Sequence, residues 1–135
     1  MSRPGLGLVK VRGRSMEPTL HSGDRLVVLR GARPRVGSIA VVRLPADRDG
    51  VPRPLAIKRV TRLDPADPTR FWVEADNQSA SGVVDSWTLG QGLPRWDIRA
   101  VVLFRVPSRP VVGVHGPRAL WRRLRKRGAG PRGSS

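Results

Sequence analysis

The sequence predicts an all-β domain, a coiled antiparallel sheet or barrel, because short apolar segments alternate with turn signals along most of its 135 residues. Fifteen glycines and 13 prolines are typical of many turns and short strands rather than of long helices. The apolar residues show no strong helical periodicity before residue 116. A chain of this length is expected to form one domain, which we place at 1–110.

Five segments carry a strand pattern, and each begins or ends at a turn residue. In chain order they are "RLVVLR" (25–30), "SIAVVRL" (38–44), "LAIKRVTRL" (55–63), "RFWVEA" (70–75) and "WDIRAVVLFRV" (96–106). A long loop rich in small polar residues, 76–94, separates the last two segments. The sequence therefore predicts at least five short strands.

The end of the chain, 111–135, departs from this pattern and is predicted to be a basic tail. It contains seven basic residues and no acidic one, so part of the formal net charge of +16 lies outside the predicted domain. Within it, 117–127 could form a short helix with Leu120, Trp121 and Leu124 on one side. Two interpretations stay open: a solvated basic tail, or an amphipathic helix that contacts an anionic membrane surface.

The composition limits the chemistry that the chain can perform. Without cysteine it has no disulfide, thiol nucleophile or Cys zinc site. His21 and His115 are too few for most zinc sites, so we expect no metal and no other cofactor. No apolar run is long enough to span a membrane, and the N-terminus lacks the apolar segment of a signal peptide. A cytoplasmic protein is expected, with peripheral membrane contact as the variant.

The high positive charge by itself would also fit a protein that binds nucleic acid. However, 23 of the 26 basic residues are Arg, which indicates a compositional bias as much as a selected surface. Four Trp, two Phe and no Tyr are too few for an evident base-stacking platform. A non-catalytic basic β-barrel that binds nucleic acid is kept as an alternative, but no specific nucleic acid is expected.

The segment "GRSMEPTLHSGDRL" (13–26) contains a candidate nucleophile, Ser15. A serine in a turn usually bonds its own backbone, so Ser15 alone indicates no chemistry. His21 and Asp24 could complete a Ser-His-Asp set, but His21 lies in the same polar turn as Ser15. A partner for the serine must therefore be sought elsewhere in the chain.

Lys58 is the candidate base, in a chain that otherwise uses almost only Arg for positive charge. In a strand, Ala56, Lys58 and Val60 share one face, which places the amine between small apolar side chains. Burial there disfavours the ammonium, and a base near neutral pH requires a bias of about 4 kcal/mol. Lys58 alone could equally extend its amine to solvent. Together, a loop serine and a lysine on an apolar face form a minimal nucleophile and base.

Three blocks of the sequence, in the same order, resemble the signal peptidase I/LexA-like serine peptidases (S24/S26), which use a Ser-Lys dyad. "SMEPTLHSGDRLVV" resembles the family's S-M-x-P-T-L…G-D block, "AIKRV" the block that carries the base, and "ADNQSASGVVDSWTLG" the G-D-N…S-x-D-S-R…G block. The resemblance covers about residues 9–106. It implies the signal-peptidase/LexA catalytic-domain fold, with Ser15 as nucleophile and Lys58 as general base.

The resemblance also implies groups that support the nucleophile. The backbone N–H of Ser15 is the expected oxyanion donor. Gly13 stands where some relatives carry a serine as a second donor, so only backbone donors are available there. Met16 and the strand beside Lys58 are expected to line the cleft.

The third block supplies polar residues that the resemblance places near the dyad. Those that match the family are Asp76, Asn77, Asp85, Ser86 and Gly90. The serine that orients Lys58 stays open, with Ser81 the first choice by its distance from Asp76, followed by Ser79 and Ser86. Ala75 replaces the Gly of G-D-N, and Trp87 replaces the Arg of D-S-R. The usual Asp–Arg pair is therefore expected to be lost, unless Arg95 or Arg99 substitutes.

Among the small soluble relatives, the sequence is most similar to the maturation peptidases of nickel-type superoxide dismutase. The implied function is a serine endopeptidase that removes an N-terminal propeptide or leader. Its partner would be a precursor polypeptide bound in extended form, as an added strand. A membrane-docked signal peptidase that cleaves secretory signal peptides shares this chemistry and is the alternative. Self-cleavage of the LexA type is a lesser variant, because few residues precede Ser15.

Overall fold

A computed structural model describes residues 5–106 of the chain. They form seven strands, β1 Gly5–Lys10, β2 Arg25–Arg30, β3 Ile39–Val42, β4 Ala56–Asp64, β5 Asp67–Glu74, β6 Leu93–Pro94 and β7 Ile98–Val106, with a short helix, α1 Ser86–Leu89, and a 3-10 turn, Arg95–Asp97. All strand pairs are antiparallel and belong to one curled sheet. The predicted all-β fold is confirmed. The tail at 111–135, with its predicted helix at 117–127, lies outside the described residues.

The strand predictions were accurate where apolar residues dominate and failed where they do not. β2 has the predicted bounds, and β3, β4, β5 and β7 overlap the predicted segments. Sequence reasoning missed β1, because its "GLGLVK" contains two glycines. A Cβ at Gly7 would lie 2.6 Å from Nη1 of Arg30 on the paired strand, which is the flexible end of that side chain. The two-residue β6 and the four-residue α1 are too short to produce a pattern.

The sheet order, β1-β2-β7-β3-β4-β5-β6, brings the last strand of the described chain into the middle of the sheet. β7 pairs with β2 on one side and with β3 on the other. Register shifts between Val27 and Val28, and between Val41 and Val42, interrupt these two ladders. Such irregularities increase the local twist, which allows the sheet to curl.

The curled sheet carries a hydrophobic core on each face. β3 contributes to both cores, because Ala40 and Val42 point to one face and Val41 to the other. The first core also includes Val60, Phe71, Val73, Leu93 and Ile98. In the second core, Val11, Met16 and Leu20 come from the turn that follows β1 and pack on Leu26 and Val28 of β2. The turn with the candidate nucleophile is therefore fixed to the sheet by apolar side chains.

Within residues 5–106, no helix is long and apolar enough to cross a membrane.

A buried carboxylate fixes the segment that leads into β6. Asp64 accepts hydrogen bonds from the N–H of Gly92 at 2.7 Å and of Ala66 at 2.9 Å. These bonds hold the pKa of Asp64 below its ordinary value. Gly92 also lies close to the neighbouring strand, where a Cβ would be 2.8 Å from the carbonyl oxygen of Phe71. Only a residue without a side chain fits this position.

Replacing Gly92 with Ala is expected to lower the free energy of unfolding by about 1–3 kcal/mol, because the added methyl group must push backbone atoms apart. Gly5→Ala is the matched control, since its Cβ would meet only the end of the Arg30 side chain at 3.4 Å. Urea unfolding of the two variants and the wild type measures the difference. Equal stability of Gly92→Ala and Gly5→Ala would contradict this packing argument.

Candidate active site

Ser15 lies in a tight turn that follows β1. The turn is closed by hydrogen bonds from the N–H of Glu17 to the carbonyl of Arg14 (3.2 Å) and from the N–H of Leu20 to that of Met16 (2.8 Å). Gly13 enters the turn at a φ of +79°, a conformation that favours glycine. The turn directs Met16 inward, where it is buried, and Ser15 outward, where it is only half-buried.

Lys58 lies on the inward face of β4 and is only 4% exposed. It is paired with Ala40 of β3, and its neighbour on the same face, Val60, is completely buried. Desolvation in this apolar environment lowers the pKa of Lys58, while the negative charge of Asp85 opposes part of that effect. Within residues 5–106, the Lys58 side chain forms no hydrogen bond and no ion pair. The Lys58 side chain is thus largely buried on the apolar face that the strand alternation predicted, and the charge of Asp85 offsets only part of the desolvation.

Ser15 and Lys58 line the same cleft, which has a volume of about 970 Å³. Its walls come from the Ser15 turn, from Arg53–Ala56 before and at the start of β4, and from the loop 79–84. No hydrogen bond joins the Ser15 hydroxyl to the Lys58 amine in the part of the chain described. The structure therefore brings the two candidate groups to one cavity without closing the contact between them.

Asn77 connects the third sequence block to the Ser15 turn. Its N–H donates to the Ser15 carbonyl at 2.8 Å, and its side-chain amide donates to the Arg14 carbonyl at 3.0 Å. The N–H of Ser15 donates no hydrogen bond to any described residue. Asn77 therefore holds the carbonyls of Arg14 and Ser15, while the N–H between them has no partner among the described residues.

Asp76 forms an ion pair with Arg59, a different pair from the one that the Arg of D-S-R would supply. Its two carboxylate oxygens accept from Nε and Nη2 of Arg59, at 2.8 and 2.9 Å, and one also accepts from the Thr19 hydroxyl at 2.6 Å. The Arg59 hydrogen bonds, with a smaller contribution from Thr19, hold the Asp76 pKa below its ordinary value. Sequence reasoning missed Arg59, although it directly follows Lys58 in "AIKRV".

Two arginines, Arg95 and Arg99, were considered as substitutes for the Arg of D-S-R, and neither takes its role. Arg95 donates to the carbonyls of Gly31 and Ile98 instead. Arg99 is exposed on β7, with no ion pair to a described carboxylate. Neither residue therefore substitutes for the arginine that Trp87 replaces, and within residues 5–106 Asp85 has no arginine partner.

Met16 was expected to line the cleft, and this was wrong. Its side chain is 2% exposed and packs in the second core. Its sulfur accepts a hydrogen bond from the N–H of Asp76 at 3.4 Å. Met16 therefore supports the turn from below and links it to the third block.

Asp85 is a buried cap rather than an exposed site residue. At 1% exposure, it accepts from the N–H groups of Trp87 (3.1 Å) and Ala75 (3.2 Å) and from the side-chain amide of Gln78 (2.9 Å). These bonds start α1 and fix the two ends of the loop between β5 and α1. The same carboxylate acts on Lys58 through its charge.

Two of the three serines proposed to orient Lys58 line the cleft. They are Ser79 and Ser81, and neither is hydrogen-bonded to Lys58. Ser86 is completely buried, and its hydroxyl accepts from the N–H of Val73 at 2.9 Å. Ser86 therefore supports the loop, which narrows the choice to Ser81 and Ser79.

Trp87, in the place of the expected arginine, packs against two strands. Its ring meets that of Trp72 edge to face, with centroids 5.2 Å apart. The Arg62 guanidinium lies 4.8 Å from the centre of the Trp72 ring and 5.4 Å from that of Trp87. These contacts attach α1 to β4 and β5 without an ion pair.

His21 is exposed and does not line the cleft. Its N–H, rather than its imidazole, bonds the carboxylate of Asp24 at 2.9 Å. Asp24 also faces Arg105 at 3.5 Å. The Ser-His-Asp alternative therefore has no support from the geometry.

Comparison with protein families finds that the family described as Peptidase S24-like matches residues 2–83, a span that includes both Ser15 and Lys58. The chain belongs to the Peptidase S24-like family. This membership makes it a relative of serine peptidases and agrees with the curled antiparallel sheet. No curated protein and no solved structure matches the chain. The matched span ends before Asp85 and Ser86, so the assignment of these two residues to the site is supported by the structure and not by the family match.

In this S24-like domain, Lys58→Met is expected to raise the urea midpoint of unfolding at neutral pH. The folded-state pKa of Lys58 lies below its ordinary 10.5, so the charged lysine destabilises the fold. This penalty is complete below the folded-state pKa and disappears as the pH rises through 10.5. The advantage of Met should therefore shrink as the pH increases. Lys10→Met, at an exposed position on β1, is the control; a Lys58→Met variant less stable than wild type at pH 7 would refute this account.

Asp76→Asn is expected to lower the free energy of unfolding at neutral pH by about 1–2 kcal/mol, because Arg59 loses its charged partner. The folded-state pKa of Asp76 lies below 3.8, so the carboxylate stabilises the fold above that pH and ceases to do so as the pH falls through the folded-state value. Wild type and variant should therefore converge in acid. Asp49→Asn, on an exposed loop, should differ little from wild type throughout. A gap that persists undiminished in acid would argue against the ion pair.

Proposed function

We propose that this chain is a serine endopeptidase in which Ser15 is the nucleophile and Lys58 the general base. One observation carries the proposal: Ser15 lines the same cleft as a buried amine whose pKa is lowered by desolvation. An arginine at position 58 could not act as a base, because its guanidinium stays charged. Among residues 5–106, no histidine and no second lysine lines this cleft.

The proposed chemistry begins with Lys58 in its neutral form. The amine takes the hydroxyl proton as the Ser15 oxygen attacks the carbonyl carbon of a peptide bond. The negative oxygen of the tetrahedral intermediate is stabilised by the N–H of Ser15. When the carbon–nitrogen bond breaks, Lys58 gives its proton to the leaving amine. Lys58 then takes a proton from the water that hydrolyses the acyl-enzyme.

The remaining residues position these two groups. Hydrogen bonds between catalytic groups are often long before substrate binds, so the open Ser15–Lys58 contact is compatible with the role. Ser81, or Ser79 beside it, would orient the amine from the opposite wall of the cleft. Asn77 holds the nucleophile turn, and Asp85 limits how far the Lys58 pKa falls.

We propose that the substrate is a precursor polypeptide from which an N-terminal propeptide or leader is removed. A cleft with walls at Arg53–Ala56 and 79–84 suits a chain bound in extended form. The resemblance to maturation peptidases of nickel-type superoxide dismutase makes that enzyme's precursor the first substrate to test. Its cleavage would be recognised by a new N-terminus.

Ser15→Ala, Lys58→Ala and Lys58→Arg are each expected to reduce the cleavage rate about a hundredfold or more, while the folded structure is retained. Purified variants would be incubated with the superoxide dismutase precursor, and the product would be identified by mass spectrometry. Wild-type kcat/KM should increase with pH, with an apparent pKa below the 10.5 of an ordinary lysine.

Two controls distinguish the dyad from general damage. Ser22→Ala changes an exposed serine near the same turn, and Lys10→Arg makes the lysine-to-arginine change at an exposed position. Both should cleave like wild type. Retained activity in Ser15→Ala or Lys58→Arg would end the dyad proposal. An intact precursor, with other peptides cleaved by wild type only, would refute the substrate but not the chemistry.

A further inference from the structure

We propose that Arg53 gives the cleft a preference for substrates with a carboxylate side chain near the cleaved bond. This inference rests on the proposed function, since it concerns what the same cleft binds. Arg53 is half-buried and lines the cleft together with Ser15 and Lys58. It lies just before β4, three residues from Ala56 at the start of that strand.

The Arg53 guanidinium is held in place by its own loop. Its Nη1 donates to the carbonyls of Pro45 at 2.7 Å and Ala46 at 3.1 Å. The loop is fixed in turn by Asp47, whose carboxylate accepts from the N–H groups of Asp49 and Val51, both at 2.9 Å. A side chain already ordered in the free protein loses little conformational entropy when it binds a ligand.

Only one of the three guanidinium nitrogens of Arg53 is used in these contacts. Nε and Nη2 make no hydrogen bond to any residue of 5–106. Guanidinium groups form their strongest hydrogen bonds with carboxylates, often two at once. Arg53 therefore brings a fixed positive charge with free donors to the cleft that Ser15 and Lys58 also line.

The described residues that line the cleft include no acidic side chain that could neutralise this charge. Asp76 and Asp85 are committed to Arg59 and to the α1 cap. Arg14 adds a second positive charge to the lining, although it is 78% exposed and faces Glu17 at 3.4 Å. With Lys58 neutral in the working enzyme, the permanent charge of the cleft comes from these arginines. A peptide with an acidic side chain is therefore the ligand that complements the positive charge of the cleft.

The test uses pairs of peptides that differ only by Glu or Gln, with the substitution moved position by position around the cleaved bond. For the wild type, kcat/KM should favour Glu about tenfold at the position that faces Arg53. Added salt should reduce this preference. Arg53→Gln should abolish it, whereas Arg48→Gln, an exposed arginine of the same loop, should keep it.

Arg53→Lys separates carboxylate recognition from support of the loop. Both Arg53→Lys and Arg53→Gln remove the guanidinium bonds to the loop carbonyls, but only Arg53→Lys keeps the charge. Carboxylate recognition predicts that Arg53→Lys retains part of the Glu preference. Equal loss in the two variants would overturn the proposal, because it would assign the effect to the loop. Urea unfolding of each variant verifies that it is folded.

Binding to the Ser15→Ala variant, measured by fluorescence anisotropy with the same labelled peptides, distinguishes this inference from the proposed function. Glu peptides should bind about tenfold more tightly than Gln peptides, and only while Arg53 is present. Cleavage by wild type without any Glu preference would refute the role of Arg53 and leave the peptidase proposal intact. Selective binding of Glu peptides without cleavage would support Arg53 and refute the peptidase.

Discussion

The desolvation of one amine is the constraint on which the site depends. Lys58 lies on a sheet face that is otherwise apolar, and no described residue forms a hydrogen bond or ion pair with its ammonium. Such an arrangement weakens a fold, because the charged form has lost part of its hydration without gaining a partner. The curled sheet tolerates it because two cores, one on each face, stabilise the strands around it.

Two carboxylates, those of Asp76 and Asp85, belong to the site but form no ion pair with Lys58. Asp76 is directed to Arg59, and Asp85 is satisfied by backbone N–H groups and an amide. Each carboxylate therefore holds a loop in place, and neither forms a hydrogen bond with Lys58. The negative charge of Asp85 reaches the lysine only through space. The two carboxylates thus fix loops beside the cleft without pairing with its amine.

The sequence predicted which face of its own strand a side chain lies on. It did not predict contacts between segments that are far apart in the chain. The alternation in "AIKRV" predicted that Lys58 shares an apolar face with Ala56 and Val60. It could not show that Arg59, on the other face, reaches Asp76, because that contact depends on the geometry of the loop after β5. Met16 is a similar case. Its neighbour Ser15 lines the cleft, but turn geometry, which has no simple period, directs Met16 into the core.

The position of β7 has a consequence for the order in which the molecule is assembled. The Ser15 turn follows β1 and leads into β2, whereas Lys58 lies on β4, and in the sheet these two parts are joined through β7. A nascent chain that has emerged only as far as β5 therefore contains both residues but lacks the strand that joins their two parts of the sheet. The sheet beneath the cleft is completed only by the last of the described strands to be synthesised, after the partners that join Asp76 and Asn77 to the Ser15 turn are already present in the chain.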